Sequence, residues 1–207
     1  KMPKASDEEE VTFSDSFKRL IRKPNYVQAV IAQFFYVGAQ IGVWSFMIRF
    51  TMQELHVNED GASTYYLAAL ILFLTSRFVC TFLMQYIAPK RLLLFLALLA
   101  IVFCAGVVWG SGQASVYALV GISGCMSLMF PTIYGLGLQG LGNDTKVGGS
   151  GLIMAILGGA VITGVQGLVS DATSIHYAFV VPLVCFAIVA FYASTSKANL
   201  SNTSTNH

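Results

Sequence analysis

Long apolar stretches alternate with short polar ones along almost the whole chain. Six stretches of 18 or more residues contain few charged side chains, and polar or glycine-rich breaks separate them. A bilayer core of ~30 Å is crossed by about 20 helical residues. The pattern therefore predicts an all-α membrane protein with spans at about residues 26–50, 64–88, 92–109, 116–138, 149–169 and 175–193.

Polar segments flank this transmembrane region, which we place at residues 25–193. Residues 1–24 carry an acidic run, Asp7–Glu10, and then basic residues among apolar ones, which is typical of a linker that ends in an amphipathic interfacial turn. Residues 194–207 form a tail rich in Ser, Thr and Asn. Because the chain begins with Lys1, we expect it to be a piece of a longer protein.

Composition agrees with an integral membrane protein. The chain is 56% hydrophobic and 11% charged, whereas charged residues make up about 25% of soluble domains. A net charge of +2 is too small to indicate nucleic acid as a partner. The four cysteines lie inside apolar runs without the spacing of a metal site, so we expect reduced thiols and no metal at Cys80, Cys104, Cys125 and Cys185.

The distribution of basic residues predicts the orientation of the chain. Six spans place both termini on one side of the membrane, and basic flanks mark the cytoplasmic side. The loops opposite the termini contain no Lys or Arg, whereas the terminal side carries Lys18, Arg19, Arg22, Lys23, Lys90, Arg91, Lys146 and Lys197. We therefore predict cytoplasmic termini and no glycan at the sequons of Asn143, Asn199 and Asn202.

One face of the first span is polar and aromatic. At about 100° per residue, four side chains fall within roughly 80° of one another: Gln33, Tyr36, Gln40 and Trp44. Amide and phenol groups cost several kcal/mol in hydrocarbon unless they find partners, so we expect this face to border a cavity. A sugar would suit it, because amides bind hydroxyls and aromatic rings cover the C–H face of a pyranose. The alternative is that the two glutamines join helices.

Small residues mark other faces. Gly38 and Gly42 lie opposite the polar face and would let a neighbouring helix approach closely. The fourth span is predicted to be thin and bendable, since one side of it gathers Gly121, Gly124, Pro131, Gly135 and Gln139. Gln139 and the nearby Tyr134 are further candidates for the cavity lining.

Two arginines are predicted within spans. Arg77 lies about eleven residues, or roughly 17 Å, from the predicted end of the second span, hence near the midplane. A charge there is by default functional. It would bind sugar hydroxyls, organise carboxylates from elsewhere, or clamp backbone carbonyls of a broken helix. Arg49, near the other end of the first span, is expected to reach the headgroups.

One motif resembles that of an enzyme, but its spacing in the predicted spans does not fit catalysis. Residues Gly148–Gly151 match the Gly-x-Ser-Gly of rhomboid-type intramembrane serine proteases, and His176 opens the last span. Ser150 and His176 are predicted on opposite sides, ~30 Å apart, whereas a nucleophile and its base need roughly 3 Å. No catalytic residue is therefore assigned. A six-helix channel or a structural interaction module remains the alternative, although no ring of charges supports a channel.

Four short motifs are similar to those of one transporter family: residues 36–45 (YVGAQIGVWS), 131–137 (PTIYGLG), 141–146 (LGNDTK) and 154–160 (MAILGGA), the last followed by Ser170 and Asp171. They resemble the C-terminal half of the fucose-galactose-glucose:proton symporter family of the major facilitator superfamily, over about residues 25–192. The resemblance implies helices 7 to 12 of a twelve-helix bundle, arranged as two inverted three-helix repeats.

The resemblance also implies a function. Members of this family carry a monosaccharide, L-fucose or a related sugar, together with a proton by alternating access, in the bacterial inner membrane and without a cofactor. The partner would be the N-terminal six-helix half, which holds the family's proton-coupling carboxylates. This chain agrees with that division, because no Asp or Glu lies within a predicted span, Glu54 and Asp171 being at span ends.

Overall fold

The structure is a computed structural model that describes residues 16–196, and the described chain is helical. Six helices are long and apolar enough to cross a membrane, as the sequence predicts: α1 Pro24–Leu55, α2 Glu59–Leu83, α3 Pro89–Trp109, α4 Gln113–Leu138, α5 Gly142–Ala172 and α6 Ile175–Thr195. We call the side of the bundle where α1 begins and α6 ends the terminal side, and the other the distal side.

Helix ends follow local sequence signals. Proline occupies the first helical position of α1 and of α3, where its missing N–H is not needed. The Asn58 side chain caps α2 by accepting a 3.0 Å hydrogen bond from the Gly61 N–H, and acidic residues Glu59 and Asp60 favour the first turn. α2 therefore begins earlier than the predicted residue 64.

Three of the six helices are interrupted, and in α6 the break lies at Phe179, between segments Ile175–Ala178 and Val180–Thr195. α4 consists of segments Gln113–Met126 and Met129–Leu138. Pro131 lies just after this break, and its ring removes the hydrogen bond that the Ser127 carbonyl would otherwise accept. α5 consists of segments Thr145–Met154 and Gly158–Ala172, joined by a 3₁₀ turn. The predicted bend of the fourth span is thus a break in the helix.

α1 lies at the centre and contacts α2, α4, α5 and α6, whereas α3 packs on α4 and α6. The largest fully buried side chains include Tyr36, Phe50, Phe179 and Phe186. All four cysteines are buried free thiols, as predicted. α2 is the least buried span, with only 11% of its most apolar window enclosed, so most of its surface faces outward from this chain.

Glycines bring α1 and α5 into close contact. A Cβ at Gly38 would lie 2.5 Å from Ile162 Cβ, and one at Gly42 would collide with the Gln166 amide. A Cβ at Gly158 would collide with the backbone carbonyl of Phe34. The predicted close approach of a neighbouring helix on this side of α1 is confirmed.

The segment before α1 packs on the terminal side. Residues 16–21 are helical, and the Arg19 guanidinium binds the Asp144 carboxylate at 2.7 and 3.2 Å. The predicted acidic run and most of the predicted tail, with Asn199 and Asn202, lie outside the described residues.

Candidate functional site

Tyr36 is fully buried and joins α1 to the break in α4. Its hydroxyl donates a 2.7 Å hydrogen bond to the carbonyl of Met126, the last residue of the first α4 segment. The same oxygen lies beside the backbone of Phe130, and the Tyr36 ring packs edge-on against the Phe130 ring at 6.3 Å. The phenol therefore satisfies backbone groups inside the bundle.

Trp44 lies two turns further along the same face and is partly exposed. Its indole N–H donates a 3.3 Å hydrogen bond to Ser123 Oγ in α4, and its ring packs edge-on against Phe73 of α2 at 5.1 Å. Gln40 is also partly exposed. These two side chains, at the junction of α1, α2 and α4, remain accessible from outside the chain.

Gln33 differs from the rest of the predicted face. It is fully buried, and neither amide atom has a hydrogen-bond partner among the described residues. The four side chains therefore do not form one accessible surface: Gln33 and Tyr36 are enclosed, whereas Gln40 and Trp44 reach outward. All four side chains lie on one face of α1, as the helical spacing predicts. Neighbouring helices cover the half of this face that is nearer the terminal side.

Arg77 is exposed on α2. The regular helix ends at Leu83, so Arg77 lies six residues, or about 9 Å, from that end rather than the predicted 17 Å. Within residues 16–196 its guanidinium forms no hydrogen bond and no ion pair, so the predicted clamp on backbone carbonyls is not formed.

Tyr134 and Gln139 lie toward the terminal side of α4. The partly exposed Tyr134 ring stacks on Phe130, with centroids 6.4 Å apart and planes 9° apart. Gln139 follows the last residue of α4 and lines a cavity of about 400 Å³ with basic residues Arg22 and Lys23. Sixteen residues, roughly 24 Å of helix, separate Gln139 from the Ser123 partner of Trp44. The structure does not bring Gln139 to Trp44.

The sequence prediction missed polar side chains on α5. Gln166 is fully buried beside Gly42, and its amide atoms have no partner among the described residues. Thr163 and Ser170 have buried, unpartnered hydroxyl oxygens on the same helix. Spacings of three and four residues place the three on one stripe facing α1. The only sequence signal was a lone Gln in a glycine-rich apolar span.

No family model matches the chain. It is 36% identical to an L-fucose-proton symporter of Haemophilus influenzae over 200 residues, 93% of this chain and 46% of the relative. With the L-fucose-proton symporter of Escherichia coli it shares 38% identity over 199 residues, 95% of this chain and 45% of the relative. A glucose/galactose transporter of Brucella abortus is 35% identical over 168 residues, which are 80% of this chain and 41% of the relative.

Two solved structures have the same architecture over half their length. The E. coli fucose:proton symporter superposes with a TM-score of 0.89 and 36% identity, covering 96% of this chain and 50% of that one. A structure described as a major facilitator superfamily transporter, FucP, in the outward conformation gives the same values.

The chain therefore has the fold of one half of a major facilitator superfamily transporter, as predicted, and spans about half the length of the curated relatives it matches. Its sequence is similar to those of L-fucose-proton symporters. This confirms the family resemblance predicted from the motifs.

Proposed function

We propose that this chain is the C-terminal half of a proton-coupled symporter for L-fucose or a related monosaccharide. It would work by alternating access together with an N-terminal six-helix half. Relatives named as L-fucose-proton symporters and as glucose/galactose transporters support this proposal. The alternative, a channel or an interaction module, finds no support among them.

One observation carries the proposal: Arg77 is an exposed charge on a membrane helix without a hydrogen-bond or ion-pair partner in the described chain. Lipid tails do not satisfy a guanidinium, and such residues mark substrate or ion pathways. Five N–H donors suit either a set of sugar hydroxyls or a carboxylate of the other half. Both are found at the cavity between two transporter halves.

Gln40 and Trp44 complete the proposed sugar-facing surface. Both are partly exposed near the α1, α2 and α4 junction, and Arg77 is an exposed residue of α2, which packs on α1 and α4. An amide, a flat indole ring and a guanidinium together provide acceptors, donors and an apolar face for a pyranose. Because Gln33 and Tyr36 are enclosed, we assign them to the support of this surface.

The coupling acids would come from the other half. Acidic residues of the described spans lie near helix ends: Glu54, Glu59, Asp60, Asp144 and Asp171. None is positioned at mid-helix, where a coupling carboxylate would meet a sugar at the midplane. We further propose a bacterial inner-membrane location with cytoplasmic termini, because the distal junctions, residues 56–58, 110–112 and 173–174, contain no Lys or Arg.

The test is uptake of labelled L-fucose into proteoliposomes under an imposed pH gradient. The chain assembled with its N-terminal half should accumulate sugar against a gradient, and the chain alone should not. D-Galactose and D-glucose, supplied separately as competitors, report the sugar preference. Uphill uptake by the chain alone, or no sugar uptake by the assembled halves, would contradict the proposal.

A further inference from the structure

Two titratable side chains link three helices at the distal side. Glu54 is the penultimate residue of α1, and His176 is the second residue of α6. His176 Nε2 lies 2.8 Å from Glu54 Oε2, and Nδ1 lies 2.9 Å from the carbonyl oxygen of Val107 in the last turn of α3. The other carboxylate oxygen accepts a hydrogen bond from the Gly112 N–H, between α3 and α4.

The network contains one more proton than a neutral imidazole and an ionised carboxylate supply together. A carbonyl oxygen only accepts, so the hydrogen bond to Val107 requires a proton on Nδ1. A neutral imidazole carries its single proton on one nitrogen, and Nε2 would then present a lone pair to the Glu54 carboxylate. A hydrogen bond at 2.8 Å therefore requires a second proton between them.

We propose that Glu54 and His176 form a proton-binding site that holds the distal ends of α1, α3 and α6 together. Imidazole is the stronger base of the two groups, so the bound proton resides on Nε2 and the pair is an imidazolium and a carboxylate. The His176 side chain is 27% exposed and the Glu54 side chain 13% exposed. Because both are mostly shielded from water, their attraction is stronger than that of a pair on the surface.

The site is connected to water and supported by packing. A cavity of about 390 Å³ is lined by both residues and by polar side chains that include Gln53, Ser170, Thr173 and Ser174, so a proton has a polar route to the pair. The Phe50 ring packs edge-on against the imidazole, with centroids 4.9 Å apart. This contact fixes the ring plane that directs both nitrogens.

Other charges near the pair are few. From α1, Arg49 lines the same cavity, and from α5 Asp171 lies 4.0 Å from Arg49, both largely exposed. His56 lies two residues beyond Glu54. α3 contributes a carbonyl and the α3–α4 junction an N–H, neither of which titrates. The exposed Arg49 and Asp171 partly offset each other, so the proton on His176 is the main variable charge.

The network has three hydrogen bonds: His176 to Glu54, His176 to Val107, and Gly112 to Glu54. Loss of the extra proton breaks the first of them. The Nε2 lone pair and the carboxylate then repel each other, and the start of α6 separates from the end of α1. The connection is present while the extra proton is bound and is lost when a rise in pH removes that proton. The distal side of this half is therefore expected to loosen at higher pH.

Glu54→Gln is the matched variant, because the amide oxygen can accept from Gly112 and the amide N–H can donate to a neutral Nε2. All three links then persist without the extra proton. The midpoint temperature of unfolding, Tm, of the complete transporter is measured across the range in which histidine titrates. Wild-type Tm should fall relative to Glu54→Gln by about 1–2 °C per pH unit. Glu59→Gln, which removes an exposed carboxylate at the start of α2, should keep the wild-type dependence.

A second measurement uses the unsubstituted protein. This chain contributes His56, His176 and His207 to the complete transporter, and the ¹⁵N-histidine signals that disappear in His176→Gln are those of His176. At mildly acidic pH His176 should carry protons on both nitrogens, and on raising the pH Nε2 should lose its proton while Nδ1 keeps its own. Parallel Tm curves for wild type and Glu54→Gln, or an unprotonated Nε2 in mildly acidic wild-type protein, would overturn the inference.

Discussion

The Tyr36 hydroxyl donates a 2.7 Å hydrogen bond to the Met126 carbonyl, at the residue where the first segment of α4 ends. Phe130, one turn further along α4, lies beside the same oxygen. A side chain inserted between backbone groups one turn apart is an established cause of a helix break. Tyr36 therefore supports the interruption that precedes Pro131, and its first role is structural.

Tyr36→Phe should destabilise the bundle while keeping the ring contact with Phe130. The Met126 carbonyl would lose a buried hydrogen bond, which costs about 1–3 kcal/mol. Thermal unfolding of the complete transporter measures the loss, and Tyr177→Phe, on an exposed residue of α6, is the control. Lost sugar affinity at unchanged stability would instead assign Tyr36 to the sugar site.

Gly38→Ala should be destabilising, because its Cβ would lie 2.5 Å from Ile162 Cβ. Gly164→Ala is the matched control on α5, since nothing lies within 4 Å of its added methyl group. The control gains helix propensity, by up to ~1 kcal/mol in water, and should be neutral or stabilising. Equal effects of the two substitutions on Tm would show that α1 and α5 are not in close contact.

Trp44→Ala and Gln40→Ala should weaken sugar binding without preventing membrane insertion. Trp44→Phe separates the contribution of the aromatic ring from that of the indole N–H, because it keeps a ring against Phe73 and loses the hydrogen bond to Ser123. Its affinity should fall between those of wild type and Trp44→Ala. Gln113→Ala, on an exposed residue at the distal start of α4, should bind sugar normally. Wild-type affinity in both alanine variants would remove these residues from the site.

Apolar run length was sufficient to predict six membrane helices, because the bilayer fixes the length of a span. Helical spacing also predicted which side of α1 meets a neighbour, because Gly38 and Gly42 lie on that side and their lack of a side chain allows another helix to approach closely. Both predictions depend on properties within one helix. They required no knowledge of which helix is the partner.

Partners from other segments could not be predicted in this way. The acceptor for Tyr36 is a backbone carbonyl 90 positions away, and every residue has such a carbonyl. Gln139 was assigned by helical spacing that does not continue through the break in α4, and it lies beyond the end of the helix. Glu54 and His176 are 122 positions apart, and each resembled an ordinary residue at a span end.

Arg77 was recognisable from the sequence as a charge within an apolar span, but its surroundings were not. The sequence leaves three partners open, and the structure excludes the backbone clamp within the described chain. What remains is a sugar or a carboxylate of the other half. Arg77→Lys retains the charge and loses the planar set of five donors, so it separates a need for several donors from a need for charge alone.

The most direct test of the account is the sugar affinity of the complete transporter carrying Arg77→Ala, measured at equilibrium together with its Tm. We predict a loss of affinity of at least tenfold, about 1.4 kcal/mol, at unchanged stability. Arg77→Lys should be nearly as impaired if several donors bind the sugar, and largely tolerated if only charge matters. Arg91→Ala, on the terminal side, should bind like wild type. Wild-type affinity in Arg77→Ala would contradict the claim that this half presents its α1, α2 and α4 junction to the sugar.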